Sequence, residues 1–195
     1  MPAKISALDL TALRSIRRTP AQLRVLTAAM DLFADHGVSG TSLQMIADRM
    51  GVTKAAVYHQ FHTKDEIVLA VAETEFCELE AALELAEAEP SREHAREVLL
   101  EEVIGVAVRR RRWVRALQSD PVMIRLLAEH EPLQRLVLRL YQVLLGEGAG
   151  PRADVRVALL SSAIAASVVH PAVAHLSDDE LRDELLEVTR RVFAV

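Results

Sequence analysis

Residues 41–64, TSLQMIADRMGVTKAAVYHQFHTK, decide how this chain folds. Thr41 with Gln44 three positions on reads as a capping box before Leu43, Ile46, Ala47 and Met50, a helix of about two and a half turns that Gly51 closes. Thr53 then opens a further helix that carries Val57 inward and ends near Phe61. Two short helices joined through a glycine satisfy a helix-turn-helix, whose tight corner needs a residue able to adopt positive φ. Ala47 is small enough to let the helices cross closely, and Val57 plugs the angle between them. Facing outward are Thr53, Lys54, Ala55, Tyr58 and His59: a hydroxyl at a helix N-terminus, a cation, a small side chain and two groups able to donate to phosphates or base edges. Any one of them suits an ordinary solvated helix. Their joint placement on a glycine-turned pair points to double-stranded DNA.

The flanking sequence is helical throughout. Thr19, Pro20 and Gln22 write an N-cap, a first-turn proline and a capping-box partner ahead of Leu23, Leu26, Met30 and Phe33, and Gly37 reads as a left-handed C′ residue. Thr63 with Glu66 starts a long fourth helix through Leu69, Ala72, Phe76 and Leu79. Beyond Pro90 the apolar period predicts helices at about 91–112, 113–128, 131–145, 152–170 and 177–193, with a loop from Gly146 to Pro151 and a capping box at Ser177 and Glu180. Leu181, Leu185, Val188 and Val192 form the last apolar stripe. No segment alternates with the period of a strand, so the chain is all-α.

At 51% apolar and 26% charged residues over 195 positions, the composition is that of a globular protein and excludes disordered or collagen-like chains. Cys77 is the only cysteine, which excludes an intrachain disulfide and a multi-cysteine zinc site and suits a reducing compartment. With no signal-peptide pattern at the start, the expected location is cytoplasmic. Val157 to Ser177 lacks Asp, Glu, Lys and Arg but holds four serines, two histidines and Pro171, so a buried helix and turn is preferred to a membrane span. Charge divides sharply: residues 1–65 carry a net +3 and the remainder −8. An acidic chain therefore has one end suited to phosphates.

Residues 20–66 resemble the DNA-binding domain of the TetR family of transcriptional regulators. The resemblance is carried by Phe33 and Gly37 ending the first helix, the Ile46–Ala47 pair, Tyr58 followed by Phe61, and Lys64 opening the fourth helix. It implies that Thr41, Thr53, Tyr58 and Lys64 hold backbone phosphates, with Lys54, Ala55 and His59 nearest the base edges. Two positions depart from the family's pattern: Ala56 replaces a common hydroxyl residue, and Gln60 replaces a common His or Tyr, shifting a phosphate contact or creating a base contact. The implied architecture is an N-terminal three-helix helix-turn-helix domain (19–65) after an extension (1–18), then a larger helical effector-binding and dimerisation domain (66–195). The implied function is a ligand-responsive regulator, with repression the favoured mode, that binds a palindromic operator as a homodimer and is released by a small lipophilic molecule.

A dimer surface is offered by the small-residue series Ala158, Ser161, Ser162, Ala165 and Ala166 together with the last helix, and burial within one subunit is the competing reading. The effector pocket implied by the resemblance has Trp113, Met123, Leu127, Tyr141 and His170 as candidate lining residues. Arg109 to Arg112, with Arg115, are expected to pair along their own helix with Glu97, Glu101 and Glu102. Arg14, Arg17 and Arg18 raise an arm reaching a neighbouring groove, against the plainer expectation of a frayed terminus. No glycine-rich phosphate loop, metal-ligand set or nucleophile with an evident base appears, so neither an enzyme nor a cofactor is expected. An effector-independent architectural DNA-binding protein is the main alternative, and a helical interaction bundle without DNA affinity the next.

Overall fold

The computed structural model describes residues 16–146 and 151–193. Ten α-helices follow one another in it: α1 Pro20–His36, α2 Leu43–Met50, α3 Lys54–Gln60, α4 Lys64–Ala88, α5 Arg92–Arg109, α6 Arg111–Ser119, α7 Pro121–Glu129, α8 Glu131–Leu145, α9 Pro151–Ser167 and α10 Asp178–Phe193. A short 3₁₀ turn at Pro171–Val173 precedes α10, and no strand occurs among the described residues. The proposed extension falls mostly at 1–15, outside the described residues, as do positions 147–150 of the Gly146–Pro151 loop. No helix among the described residues is long and apolar enough to cross a membrane.

α1 to α3 pack into a three-helix unit that α1 joins to α4 and α6. Around α5, the remaining helices gather α4, α8, α9 and α10. The core runs continuously from Val25, Phe33, Ile46, Ala47 and Val57 through Ile67 and Val71 to Leu99, Ile104, Leu144 and Leu160. At its N-terminal end α1 has the full reciprocal cap: Gln22 N donates to Thr19 Oγ1 and Thr19 N to Gln22 Oε1. The same box closes around Ser177 and Glu180 at α10.

Four expectations are corrected. The cap of α2 is Ser42, whose hydroxyl accepts from Met45 N, while Gln44 turns along the helix to donate to Asp48; Thr41 lies one residue too early because its hydroxyl is turned inward. Gly37 has positive φ (71°) but ψ of 166°, outside the left-handed helical region. The helix expected at 113–128 is two helices, since a residue before proline avoids the α region and Asp120 takes φ −101°, ψ 115° to cap α7 ahead of Pro121. Finally, the arginine run pairs across the fold and not along its helix. Arg109 and Arg110 reach Glu78 on α4 at 3.1 and 2.8 Å, Arg111 reaches Asp178 on α10 at 3.0 Å, and Arg112 reaches Asp35 on α1 at 2.5 Å. Glu97 and Glu101 pair instead with Arg190.

Asp120 does two jobs at that α6–α7 break. Its carboxylate accepts from Val122 N at 2.9 Å, capping α7, and from Ser39 N at 2.8 Å and Ser39 Oγ at 3.2 Å in the turn between α1 and α2. Burial opposes its ionisation, but the donors of Ser39, Val122 and Met123 outweigh it and hold the carboxyl below the usual range. Replacing Asp120 with Ala should therefore lower the unfolding free energy by about 2 kcal/mol in urea titrations at neutral pH. Because the folded-state value is depressed, this contribution is present in full above the unfolded value of about 4 and is lost as pH falls through the folded one. The gap between wild type and variant should close in acid.

Candidate nucleic-acid interface and internal cavity

Gly51 sets the corner between α2 and α3 at φ 67°, ψ 33°, a left-handed conformation that its N–H uses to bond Ala47 O and Asp48 O. Ala47 is fully buried beneath the crossing and Val57 is the single buried residue of α3. One inward residue in seven leaves the rest of α3 to solvent. Thr53 caps the helix, its Oγ1 accepting from Ala56 N at 3.2 Å. Lys54, Ala55, Tyr58, His59 and His62 line a shallow open depression. Tyr58 is 52% exposed and meets His62 edge-on, with ring centroids 5.4 Å apart. His59 Nδ1 lies 3.3 Å from Gln60 Nε2, so the half-buried Gln60 is turned toward its neighbour.

Thr41 and Lys64 sit differently. Thr41 is 3% exposed and its hydroxyl donates to Gly37 O at 2.8 Å. The Lys64 ammonium donates to Val38 O at 2.9 Å and Thr41 O at 3.1 Å, stapling the α1–α2 turn to the start of α4. In that same turn a Cβ on Gly40 would stand 2.3 Å from His36 O, a closeness only glycine permits. Just ahead of α1, Arg18 pairs with Glu73 of α4 at 2.5 Å and lies 5.8 Å from the centre of the Phe61 ring. Arg18 is thus tied to the body and is not part of a reaching arm.

In the larger unit, α4, α5, α6, α8 and α9 line a half-open cavity of about 250 Å³ with an almost wholly apolar lining. Phe76, Leu79, Val103, Trp113, Leu140 and Tyr141 contribute to its walls. Phe76 and Leu79 are only half-buried because they face this space and not solid core. Three polar features interrupt it. Tyr141 lies against Ser161, and burial pushes its phenol up, with the Ser161 hydrogen bond opposing. Trp113 is 5% exposed, yet its Nε1 has no acceptor. The Glu75 side chain is 6% exposed, and although Arg110 Nε lies 3.2 Å from its Oε2, the pair is not aligned for a hydrogen bond. Burial pushes the Glu75 carboxyl up, Arg110 opposing and Glu78 reinforcing the rise. A buried polar group without its bond costs about 1–3 kcal/mol.

Comparison with known proteins joins these features. The family model for bacterial regulatory proteins of the tetR family matches residues 25–71. Residues 25–71 are similar to the DNA-binding domain of that family, and the chain spans about a quarter of the length of the curated relatives it matches. Over 48 residues this chain is 44% identical to the HTH-type transcriptional regulator SrpR of Pseudomonas putida, a stretch covering 25% of the chain and only 22% of SrpR. A transcriptional regulator from Aquifex aeolicus VF5 shares the fold with TM-score 0.67 at 20% identity, over 89% of this chain and 99% of that one. So does FadR of Bacillus subtilis, solved in complex with stearoyl-CoA, with TM-score 0.66 at 14% identity, over 85% of this chain and 96% of that one.

Of the residues singled out for DNA, Thr53, Lys54, Ala55, Tyr58, His59 and Gln60 are brought together on α3 and its cap, while Thr41 and Lys64 are engaged within the turn behind it. Of the five pocket candidates, Trp113 and Tyr141 line the cavity. Met123 is buried elsewhere, Leu127 packs on the core outside the cavity, and His170 is exposed, its Nδ1 accepting from Ala172 N as the cap of the 3₁₀ turn. Glu75 was missed, and Arg110 was expected to pair along its own helix, because a charged pair between segments far apart in the chain leaves no periodic signal. These placements separate two roles in the absence of DNA. Lys64→Met should destabilise the free protein by about 1–2 kcal/mol, and Lys54→Ala should leave its stability within about 0.5 kcal/mol, both read by urea unfolding.

Proposed function

We propose that this chain is a ligand-responsive transcriptional regulator that binds a palindromic operator as a homodimer and is released from it by a small lipophilic molecule. The observation carrying the reading is α3, which buries one residue and presents Lys54, Ala55, Tyr58 and His59 beside the Thr53 cap. An α-helix fits the major groove, and side chains of this kind serve base edges and phosphates there. In this reading Lys54, Ala55 and His59 face bases, Thr53 and Tyr58 hold phosphates, and Gln60 lies at the border. Thr41 and Lys64 fix the pose of the α1–α2 turn from behind. Its cytoplasmic location follows from contact with DNA.

Dimerisation is supported by an apolar face that the single chain leaves open. Val155 and Leu159 on α9 are each 57% exposed, with the small Ala158, Ser162 and Ala166 on the same side, and Val188 and Val192 on α10 are 54% and 67% exposed. Ser161 and Ala165 turn instead to the cavity. Two-fold pairing through α9 and α10 would cover this face and set two copies of α3 on half-sites of one operator. Repression is the mode we favour, because a dimer seated on an operator excludes other proteins from it without any further contact.

Selection from random-site DNA, followed by fluorescence anisotropy at two salt concentrations, tests the reading. A palindrome should be enriched. Tyr58→Phe should weaken binding by about 1 kcal/mol evenly across sequences, whereas Lys54→Ala should cost about 1–3 kcal/mol and relax the preference at one base pair per half-site. Unchanged affinity in both variants would remove α3 as the reading helix. Salt-sensitive binding with no enriched motif would favour an architectural protein.

A further inference from the structure

Arg18 precedes the Thr19 cap of α1, yet its side chain lies at the far end of α3. Its guanidinium carbon is 5.8 Å from the centre of the Phe61 ring, within reach of a cation–π contact. Phe61 is where α3 ends: its N–H closes on Val57 O at 3.0 Å, its backbone turns extended at φ −145°, ψ 123°, and it is buried. Glu73 of α4 fixes the guanidinium in turn, its Oε2 accepting from Arg18 Nη2 at 2.5 Å, while its Oε1 lies 3.2 Å from Nε2 of His130, the cap of α8. The Arg18, Glu73 and His130 side chains are 18%, 14% and 15% exposed, so salt screens this cluster less than it screens a surface pair.

α3 is tied at its start by the Gly51 corner and the Thr53 cap, and at its middle by Val57. Phe61 holds the other end, next to Tyr58, His59 and Gln60. The pose of those three side chains therefore depends on where the Phe61 ring is kept, and Arg18 is the charged group set over that ring. A direct contact of Arg18 with phosphate fits these distances poorly. The guanidinium would have to leave both Glu73 and Phe61, stranding a carboxylate that is largely withdrawn from water.

We propose, resting on the reading of α3 above, that Arg18 and Glu73 are positioning residues for DNA recognition. Glu73 holds the Arg18 guanidinium over Phe61, which fixes the C-terminal end of α3, and neither side chain touches DNA. His130, on the other oxygen of the same carboxylate, continues the clamp to the start of α8. The sign of one substitution separates this from plain charge. Glu73→Gln removes a negative charge, which by electrostatics alone tightens DNA binding; through the clamp it weakens it.

Duplex DNA recovered by the selection above is titrated with the full-length protein and followed by fluorescence anisotropy. The variants are Arg18→Met, Arg18→Lys and Glu73→Gln, with Tyr58→Phe and Lys54→Ala as controls, each verified as folded by circular dichroism at the assay temperature. Arg18→Met should weaken binding about fivefold and Glu73→Gln about threefold, each with a salt slope within about 0.5 of the wild-type one. Arg18→Lys keeps a cation between Glu73 and the ring and should weaken binding by less than about twofold. Without DNA, amide hydrogen exchange at residues 57–61 should quicken at least about fivefold in Arg18→Met, with α10 unchanged. Tighter binding by Glu73→Gln, a salt slope reduced by about 1 in Arg18→Met, or unaltered exchange at 57–61 would each overturn the inference. Unchanged affinity in the Arg18 and Glu73 variants, with both controls weakened, would overturn it and leave α3 as the reading helix. No change in any variant, controls included, would overturn both.

Discussion

A single carboxylate at the end of α6 joins the two halves of this molecule. Asp120 accepts from the backbone and hydroxyl of Ser39 in the α1–α2 turn while capping α7. Donors from both sides are therefore satisfied by one buried group, and neither set can be kept if the other moves away. The pose of α3 depends on that turn, because Lys64 binds its carbonyls and Gly40 packs against His36 with no room for a side chain. Much of the orientation of α3 relative to the body is thus held by hydrogen bonds to main-chain atoms. Main-chain groups cannot rotate out of the way as long side chains do, which gives the junction a defined geometry.

The arginine run shows the same logic carried by charge. Four successive arginines, at about 100° per residue around the axis, cannot share a face, and here they divide among α4, α10 and α1. Most of these pairs are partly exposed, so each adds little stability. Their value is geometric, since they fix where the α5–α6 corner sits against three neighbours at once. Glu73 plays a similar part at the other edge of α4, accepting from Arg18 and lying 3.2 Å from His130 Nε2. His130 Nδ1 caps α8 by accepting from Leu133 N, which leaves the ring proton on Nε2, facing Glu73.

Local chemistry made α1 to α4 readable in the sequence. Gly51, Ala47, Val57 and the Thr19, Thr53 and Thr63 caps all act within a few residues of themselves, and each has the structural role its spacing suggests. Thr41 misled because Thr41–Gln44 and Ser42–Met45 are both plausible caps, and the choice between them depends on carbonyls of α1 that only the folded turn brings near. Farther along, Pro121 carried the signal for the α6–α7 break, yet the apolar period across it continued without a gap. Leu23 fits the helical pattern of α1 but is 46% exposed, since Val25 and Ala29 define a face rotated from the one the spacing suggested. The cavity was the least legible feature: it is an absence of side chains between five helices, and Phe76 or Val103 reads the same whether it faces atoms or space.

α6 links the wall of that space to the N-terminal helices. Trp113 lines the cavity, Arg112 beside it holds Asp35 of α1, and the helix ends one residue before Asp120. Nine residues of α-helix span about 14 Å, so one short helix joins Trp113 to the contacts with Asp35 and Ser39. Glu75 adds a second route, because on its other side it borders a smaller space formed by Leu23, Leu26 and Met30 of α1. A ligand shifts a conformational equilibrium only by its difference in affinity for the two states. Trp113 and Glu75, which both border the cavity, sit on helices that contact α1.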